Sequence, residues 1–171
     1  VTDAAWHDEA LRRDKELSKM AEDGGIILAH ENCSGYFGQT PQRMAEMVGE
    51  VGSPALGIVY DTGNPVSHEG AVWDYYQMCK PHTVYVHIKD GFDPAKGGGE
   101  KYCYPGEGDG MVKETVADLL ASGYDGGLSI EPHMAAQVHL GTAADGDAAF
   151  DIYVEYGRRL MKIVEEIRAG S

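Results

Sequence analysis

Leu56-Gly57-Ile58-Val59-Tyr60-Asp61 is an apolar run of strand length that ends on a carboxylate. Three other stretches repeat the design. Gly25-Ile26-Ile27-Leu28-Ala29-His30-Glu31 ends on a glutamate, Thr83-Val84-Tyr85-Val86-His87 on a histidine, and Gly127-Leu128-Ser129-Ile130-Glu131 on a second glutamate. The gaps between these end residues are 30, 26 and 44 positions, each long enough for a loop, a helix and the return to the next strand. Strands that alternate with helices form a parallel sheet, and parallel sheets carry their functional groups at the carboxyl ends of the strands. Four metal-ligating side chains are therefore expected on one rim.

The segments between the runs are read as helices. Residues 3–22 carry Leu11, Leu17, Met20 and Ala21 as a partial apolar stripe, and Asp23-Gly24-Gly25 stops it. The first strand then covers 26–30. Thr40-Pro41 is an N-cap followed by proline at the first helical position, opening a helix that ends at Ser53-Pro54. Strand 56–60 leads to a helix over about 68–79, with Val72, Trp73, Tyr76 and Cys79 on one face. Strand 83–87 follows. Residues 90–110 are irregular and glycine-rich, and a loop of that length inside a domain suggests a functional lid whose glycines allow closure. Tyr102, Tyr104 and Glu107 would face the substrate from it. Its triple glycine, 97–99, is not a phosphate loop, since no Gly-Lys-Ser/Thr follows. A helix over 111–122, strand 128–131, a loop over 132–145 and a helix over 146–168 complete an α-β-α-β-α-β-α-β-α order.

The totals exclude some classes of function. The chain has 171 residues, 43% of them hydrophobic, and a formal net charge of −14. That charge repels nucleic-acid backbones and anionic membranes and suits a small-molecule ligand. No run approaches the length of a membrane span. Three widely spaced cysteines without a C-x-x-C suggest reduced thiols and a cytoplasmic setting.

Two glutamates, an aspartate and a histidine offer three oxygens and one nitrogen. That set suits one divalent ion (Mn²⁺, Mg²⁺ or Co²⁺) and can hold Zn²⁺, but it lacks the thiolates of a structural zinc site.

His30-Glu31-Asn32, Tyr60-Asp61-Thr62-Gly63-Asn64, Val86-His87-Ile88-Lys89-Asp90, Pro105-Gly106-Glu107-Gly108-Asp109 and Gly123-Tyr124-Asp125-Gly126-Gly127-Leu128-Ser129-Ile130-Glu131 resemble, in this order, the xylose isomerase-like TIM-barrel superfamily. The nearest branch is the sugar-phosphate isomerase/epimerase group, which includes ketose 3-epimerases, hydroxypyruvate isomerase and inosose dehydratase. The resemblance implies an α/β fold in which residues 1–171 are one partial domain. They would form the C-terminal half of a (β/α)₈ barrel, strands five to eight, within a natural protein of about 250–300 residues. It assigns Glu31, Asp61, His87 and Glu131 as the metal ligands of those four strands. Glu31 and Glu131 would double as the bases that move a proton next to a carbonyl, through an enediolate; ligation alone is the alternative for each. Asn64 stands where the ketose epimerases usually carry a histidine, which weakens that particular assignment.

Lys89, on the same side of its strand as His87, is a candidate for a substrate oxygen or phosphate, with a surface salt bridge as the equal alternative. Asn64 and His133 are further substrate-contact candidates. Asn32 would point away from Glu31. The expected activity is a metal-dependent isomerase or epimerase of carbohydrate metabolism, acting on a small sugar or hydroxy-keto compound, with manganese a natural cofactor. The alternatives are a lyase that dehydrates a keto-polyol and a non-catalytic barrel that binds a partner. The superfamily's endonuclease branch needs more histidines and a basic face. Nucleic-acid and membrane partners are not expected, and self-association into a homo-oligomer is left open.

Overall fold

The structure, a computed structural model, describes residues 1–67, 71–96, 101–134, 136–137, 142–143 and 146–170. Helix α1, Asp3–Gly24, starts where the Thr2 side chain accepts a hydrogen bond from the Ala5 N–H at 3.2 Å. It ends on Gly25 in the left-handed region, φ 63°, which returns N–H bonds to the last carbonyls. Strand β1, Leu28–Glu31, begins two residues later than the hydropathy predicts. Ile26 and Ile27 are taken up by the turn that closes α1, and both are exposed. Helix α2, Pro41–Val51, is capped by Thr40 and closed by Gly52 at φ 63°.

Strand β2, Leu56–Asp61, is buried at every position. Helix α3, Val72–Cys79, leads to strand β3, Thr83–Ile88; the expected start of that helix at 68–70 lies outside the described residues. The segment after β3 is not wholly irregular. Strands β4, Asp90–Gly91, and β5, Tyr102–Cys103, form a short antiparallel pair, and the triple glycine between them falls outside the described residues. Helix α4, Val112–Ala121, strand β6, Gly127–Ile130, the small pair β7, Ala136–Gln137, and β8, Thr142–Ala143, and helix α5, Gly146–Gly170, follow. No helix among the described residues is long and apolar enough to cross a membrane, and the three cysteines are not joined in disulfides.

The main sheet has the order β1-β2-β3-β6, with every pair parallel. Alternation splits its two faces. Ile58, Tyr60, Val86 and Ile88 point to one side, where Met44, Met47, Tyr76 and Val116 of the helices bury them completely. Asp61, His87 and Glu31 lie on the other. The β2–β3 register shifts by one residue: Ile58 pairs with Thr83 but Val59 pairs with Tyr85, which leaves Val84 as an extra residue on β3. Gly57 accommodates it, since a Cβ there would lie 2.5 Å from Val84 Cγ1. Beyond the bulge Asp61 stands opposite His87.

Candidate metal centre

The four end residues converge. One ligand atom each from Glu31, Asp61, His87 and Glu131 lies within 4.8 Å of all the others. Each arrives from a different strand: Glu31 closes β1, Asp61 closes β2, His87 sits one residue before the end of β3, and Glu131 follows β6, where its N–H donates to the Ile88 carbonyl at 2.9 Å.

Asp61 is fully buried and is held on both flanks. Its Oδ1 accepts the Gly63 and Asn64 N–H groups, each at 2.8 Å. Asn32, also buried, clamps the Asp61 backbone: its Oδ1 accepts the Asp61 N–H at 2.6 Å and its Nδ2 donates to the Asp61 carbonyl at 3.0 Å. This leaves Asp61 Oδ2 buried, without a hydrogen bond, and with the Lys89 ammonium 3.0 Å away. His87 Nδ1 is likewise buried without a hydrogen bond, 3.7 Å from Glu31 Oε1 and 3.8 Å from Glu131 Oε2. Two buried polar atoms without a hydrogen bond therefore face one cluster of acids, an arrangement that could receive a cation.

The remaining sequence candidates surround this set. Asn64 Nδ2 donates to Glu31 Oε1 at 3.2 Å. His133 Nε2 lies 2.9 Å from Glu131 Oε1, with its ring against the edge of Tyr102 at 4.9 Å between centroids. Lys89 is only 4% exposed and reaches Glu131 Oε2 at 3.0 Å as well as Asp61, so it is no surface salt bridge. All seven candidates therefore meet at one rim.

The charges act on one another. The His87 ring beside Glu31 draws that carboxyl below its usual range, and Glu31 raises His87 in turn. Burial pushes the Asp61 carboxyl up, and the Lys89 ammonium opposes this only in part. Burial works against the charge of Glu131, but Asp61 and Lys89 outweigh it and hold that carboxyl low. Burial also works against the Lys89 ammonium, and the attraction of Asp61 and Glu131 more than offsets it. Asp61 and Glu131 thus titrate as a pair across the shared Lys89 ammonium.

The donor set fits a divalent ion. Oxygen and nitrogen ligands sit at roughly 2.0–2.2 Å from a small divalent ion, so any two lie within about 4.4 Å of each other. Modest side-chain rotations close a 4.8 Å set to that size.

Other expectations needed the tertiary structure. Of the three loop residues expected at the substrate, only Tyr102 touches the site, through His133. Tyr104 packs on Tyr156 and under the Arg159 guanidinium, and Glu107 pairs with Arg159, both facing α5. Four of the described glycines of this segment are engaged as hydrogen-bond donors; the triple glycine lies outside the described residues. Gly106 and Gly108 donate N–H bonds to Asp90 Oδ2 at 2.8 and 3.1 Å, and Gly91 and Gly110 donate to Oδ1 at 2.9 and 3.0 Å. They pin the segment around a buried carboxylate. Asn32 was readable only as the residue after Glu31, with nothing to show that it braces the neighbouring strand.

Residues 3–151 match the xylose isomerase-like TIM barrel family. Among curated proteins, the chain is 32% identical over 123 residues to the 2-epi-5-epi-valiolone 7-phosphate 2-epimerase of an Actinoplanes strain, covering 71% of this chain and 42% of that one. It is 25% identical over 150 residues to the inosose dehydratase of Lactiplantibacillus plantarum, covering 76% and 47%. The chain therefore spans less than half the length of these relatives. Among solved structures, a xylose isomerase-like TIM barrel protein from Mycobacterium smegmatis in complex with magnesium superposes with a TM-score of 0.73 at 22% identity, over 98% of this chain and 53% of that one. The parallel strands and the family match together make this an α/β TIM-barrel fold, and the chain belongs to the xylose isomerase-like TIM barrel family.

Proposed function

We propose that residues 1–171 supply strands five to eight of a (β/α)₈ barrel, and that their rim binds one divalent ion and moves a proton next to the carbonyl of a small sugar or keto-polyol. The observation that carries this is the convergence of Glu31, Asp61, His87 and Glu131 around two buried atoms, Asp61 Oδ2 and His87 Nδ1, that lack hydrogen bonds. A bound ion would be held by these four residues and would supply a Lewis-acid centre for a carbonyl and its neighbouring hydroxyl.

The chain's own groups then divide the work. Glu31 and Glu131 are the carboxylates positioned to take and return a proton. Both are held in their ionised form by their neighbours, the form that can bind a cation or accept a proton. Asn64 orients Glu31, and His133 orients Glu131. Asp61, braced by Asn32, and His87 mainly hold the ion. An epimerase and a dehydratase among the curated relatives support sugar or keto-polyol chemistry.

A dehydratase is the second reading. It is favoured by Asn64, an amide that cannot carry a proton, and by the inosose and 3-dehydroshikimate dehydratases among the relatives. Elemental mass spectrometry of the purified protein beside Glu131→Gln tests the site: about one Mn, Mg, Co or Zn per chain, lost in the variant, is expected. A folded wild type without metal after growth and dialysis in Mn²⁺ overturns the proposal. Product mass then separates the two readings, conserved for epimerisation and lower by one water for dehydration.

A further inference from the structure

The ammonium of Lys89 lies 3.0 Å from Asp61 Oδ2 and 3.0 Å from Glu131 Oε2, inside the ligand set itself. We propose that Lys89 is a built-in counter-cation of the carboxylate cluster, and that it competes with the incoming divalent ion for Asp61 and Glu131. This rests on the metal reading given above.

The position of the lysine is built into the fold. Its side chain is 4% exposed. Its stem runs over Gly63, where a Cβ would lie 2.6 Å from Lys89 Cγ and 3.0 Å from Lys89 Cβ, so a larger residue there would push the stem aside. The Thr62 hydroxyl fixes the backbone at both ends of the residue, accepting the Lys89 N–H at 3.1 Å and donating to the Lys89 carbonyl at 2.6 Å. A flexible four-carbon side chain is thereby led to one place.

The charges give that place a consequence. Glu31, Asp61 and Glu131 are three acids within one small volume. When ionised and without a cation they repel one another, and a buried unpaired charge is costly. One ammonium relieves part of that cost, so the metal-free rim holds its shape. The same positive charge then repels a divalent ion arriving at the same oxygens. Ammonium and dication together balance the three carboxylates, which limits the rim to a single divalent ion. A purely structural lysine would act with the opposite sign, since losing it would loosen the ligands and weaken ion binding.

The test is Mn²⁺ titration by calorimetry, at fixed pH and salt, of the chelator-stripped full-length protein and its Lys89→Met, Lys89→Gln and Glu131→Gln variants. Removing the lysine charge is expected to tighten Mn²⁺ binding roughly 10- to 100-fold, the scale of one unit charge a few ångströms from a dication in a partly screened site. The metal-free variants are expected to melt below wild type and to recover in saturating Mn²⁺. Should Lys89→Met not fold without an ion, Lys89→Gln keeps a donor for the two carboxylates and decides by the same comparison. Affinity equal to or weaker than wild type in the lysine variants overturns the proposal. If wild type binds Mn²⁺ and Glu131→Gln does not, that result leaves the metal reading standing. No binding in wild type or either lysine variant removes both.

Discussion

Asp61 and Asp90 are both buried aspartates on strands of this sheet system, 0% and 1% exposed, and they do opposite things. Asp90 has each oxygen matched by two backbone N–H donors, from Gly91 and Gly110 on one side and Gly106 and Gly108 on the other. Burial raises its carboxyl above the ordinary value, and the four donors pull the other way. Asp61 has one oxygen matched and one without a hydrogen bond. Depth therefore does not separate the two. What each oxygen faces does: backbone donors around Asp90, and a side-chain ammonium 3.0 Å from Asp61 Oδ2.

Replacing Asp90 should break the comparison most visibly. Asp90→Ala leaves four N–H groups without their acceptor and should cost at least about 4 kcal/mol in urea unfolding, since each buried unmatched donor costs about 1–3 kcal/mol; a loss below about 1 kcal/mol would mean the cage is ornamental. Gly108→Ala tests the same cage from outside. Its Cβ would lie 2.3 Å from the Gly91 carbonyl oxygen and 2.4 Å from Asp90 Oδ1. A loss of about 2 kcal/mol is expected, the scale of overpacking in a tight interior.

Asp61→Asn is the counterpart. It keeps an acceptor for Gly63 and Asn64, and Glu131 still pairs the Lys89 ammonium, so metal-free stability should change by no more than about 1 kcal/mol while Mn²⁺ binding is lost. A large destabilisation without metal would make Asp61 as structural as Asp90. A third aspartate calibrates the scale. Asp118, 31% exposed, accepts from Lys80 at 2.5 Å and from the Tyr76 hydroxyl at 2.7 Å, and the Lys80 ammonium holds its carboxyl below the usual value. Its folded pKa is depressed, so its contribution is present above the unfolded value, near 3.8, and is lost as pH falls through the folded one. Asp118→Asn should cost about 0.5 kcal/mol at neutral pH after solvent screening, with the gap to wild type closing in acid melts below pH 3.8.

What could be read from the sequence follows the same division. The four ligand candidates stood out because each ends an apolar run, a pattern local to a few residues. Lys89 could be placed on the His87 side by alternation, but its burial could not, because the acids that neutralise it lie 28 positions earlier and 42 later. The Asp90 cage was invisible for a related reason. Glycines read as freedom in a sequence, and only the folded chain shows four of their N–H groups spent on one carboxylate. The first strand was read two residues early because Ile26 and Ile27 have strand character, and the left-handed cap at Gly25 overrode it.

The extra residue at Val84 sets a count on which the rim depends. Were Val84 paired in sequence after the Ile58–Thr83 pair, the ladder would set Asp61 opposite Val86, and His87 would turn toward the helices. Pairing Val84 with Val59 in place of bulging it would leave hydropathy, charge and every ligand residue unchanged, yet put the imidazole on the wrong side of the strand. In this chain a single unpaired residue keeps the reading frame between a ligand's position in the sequence and the face on which it serves.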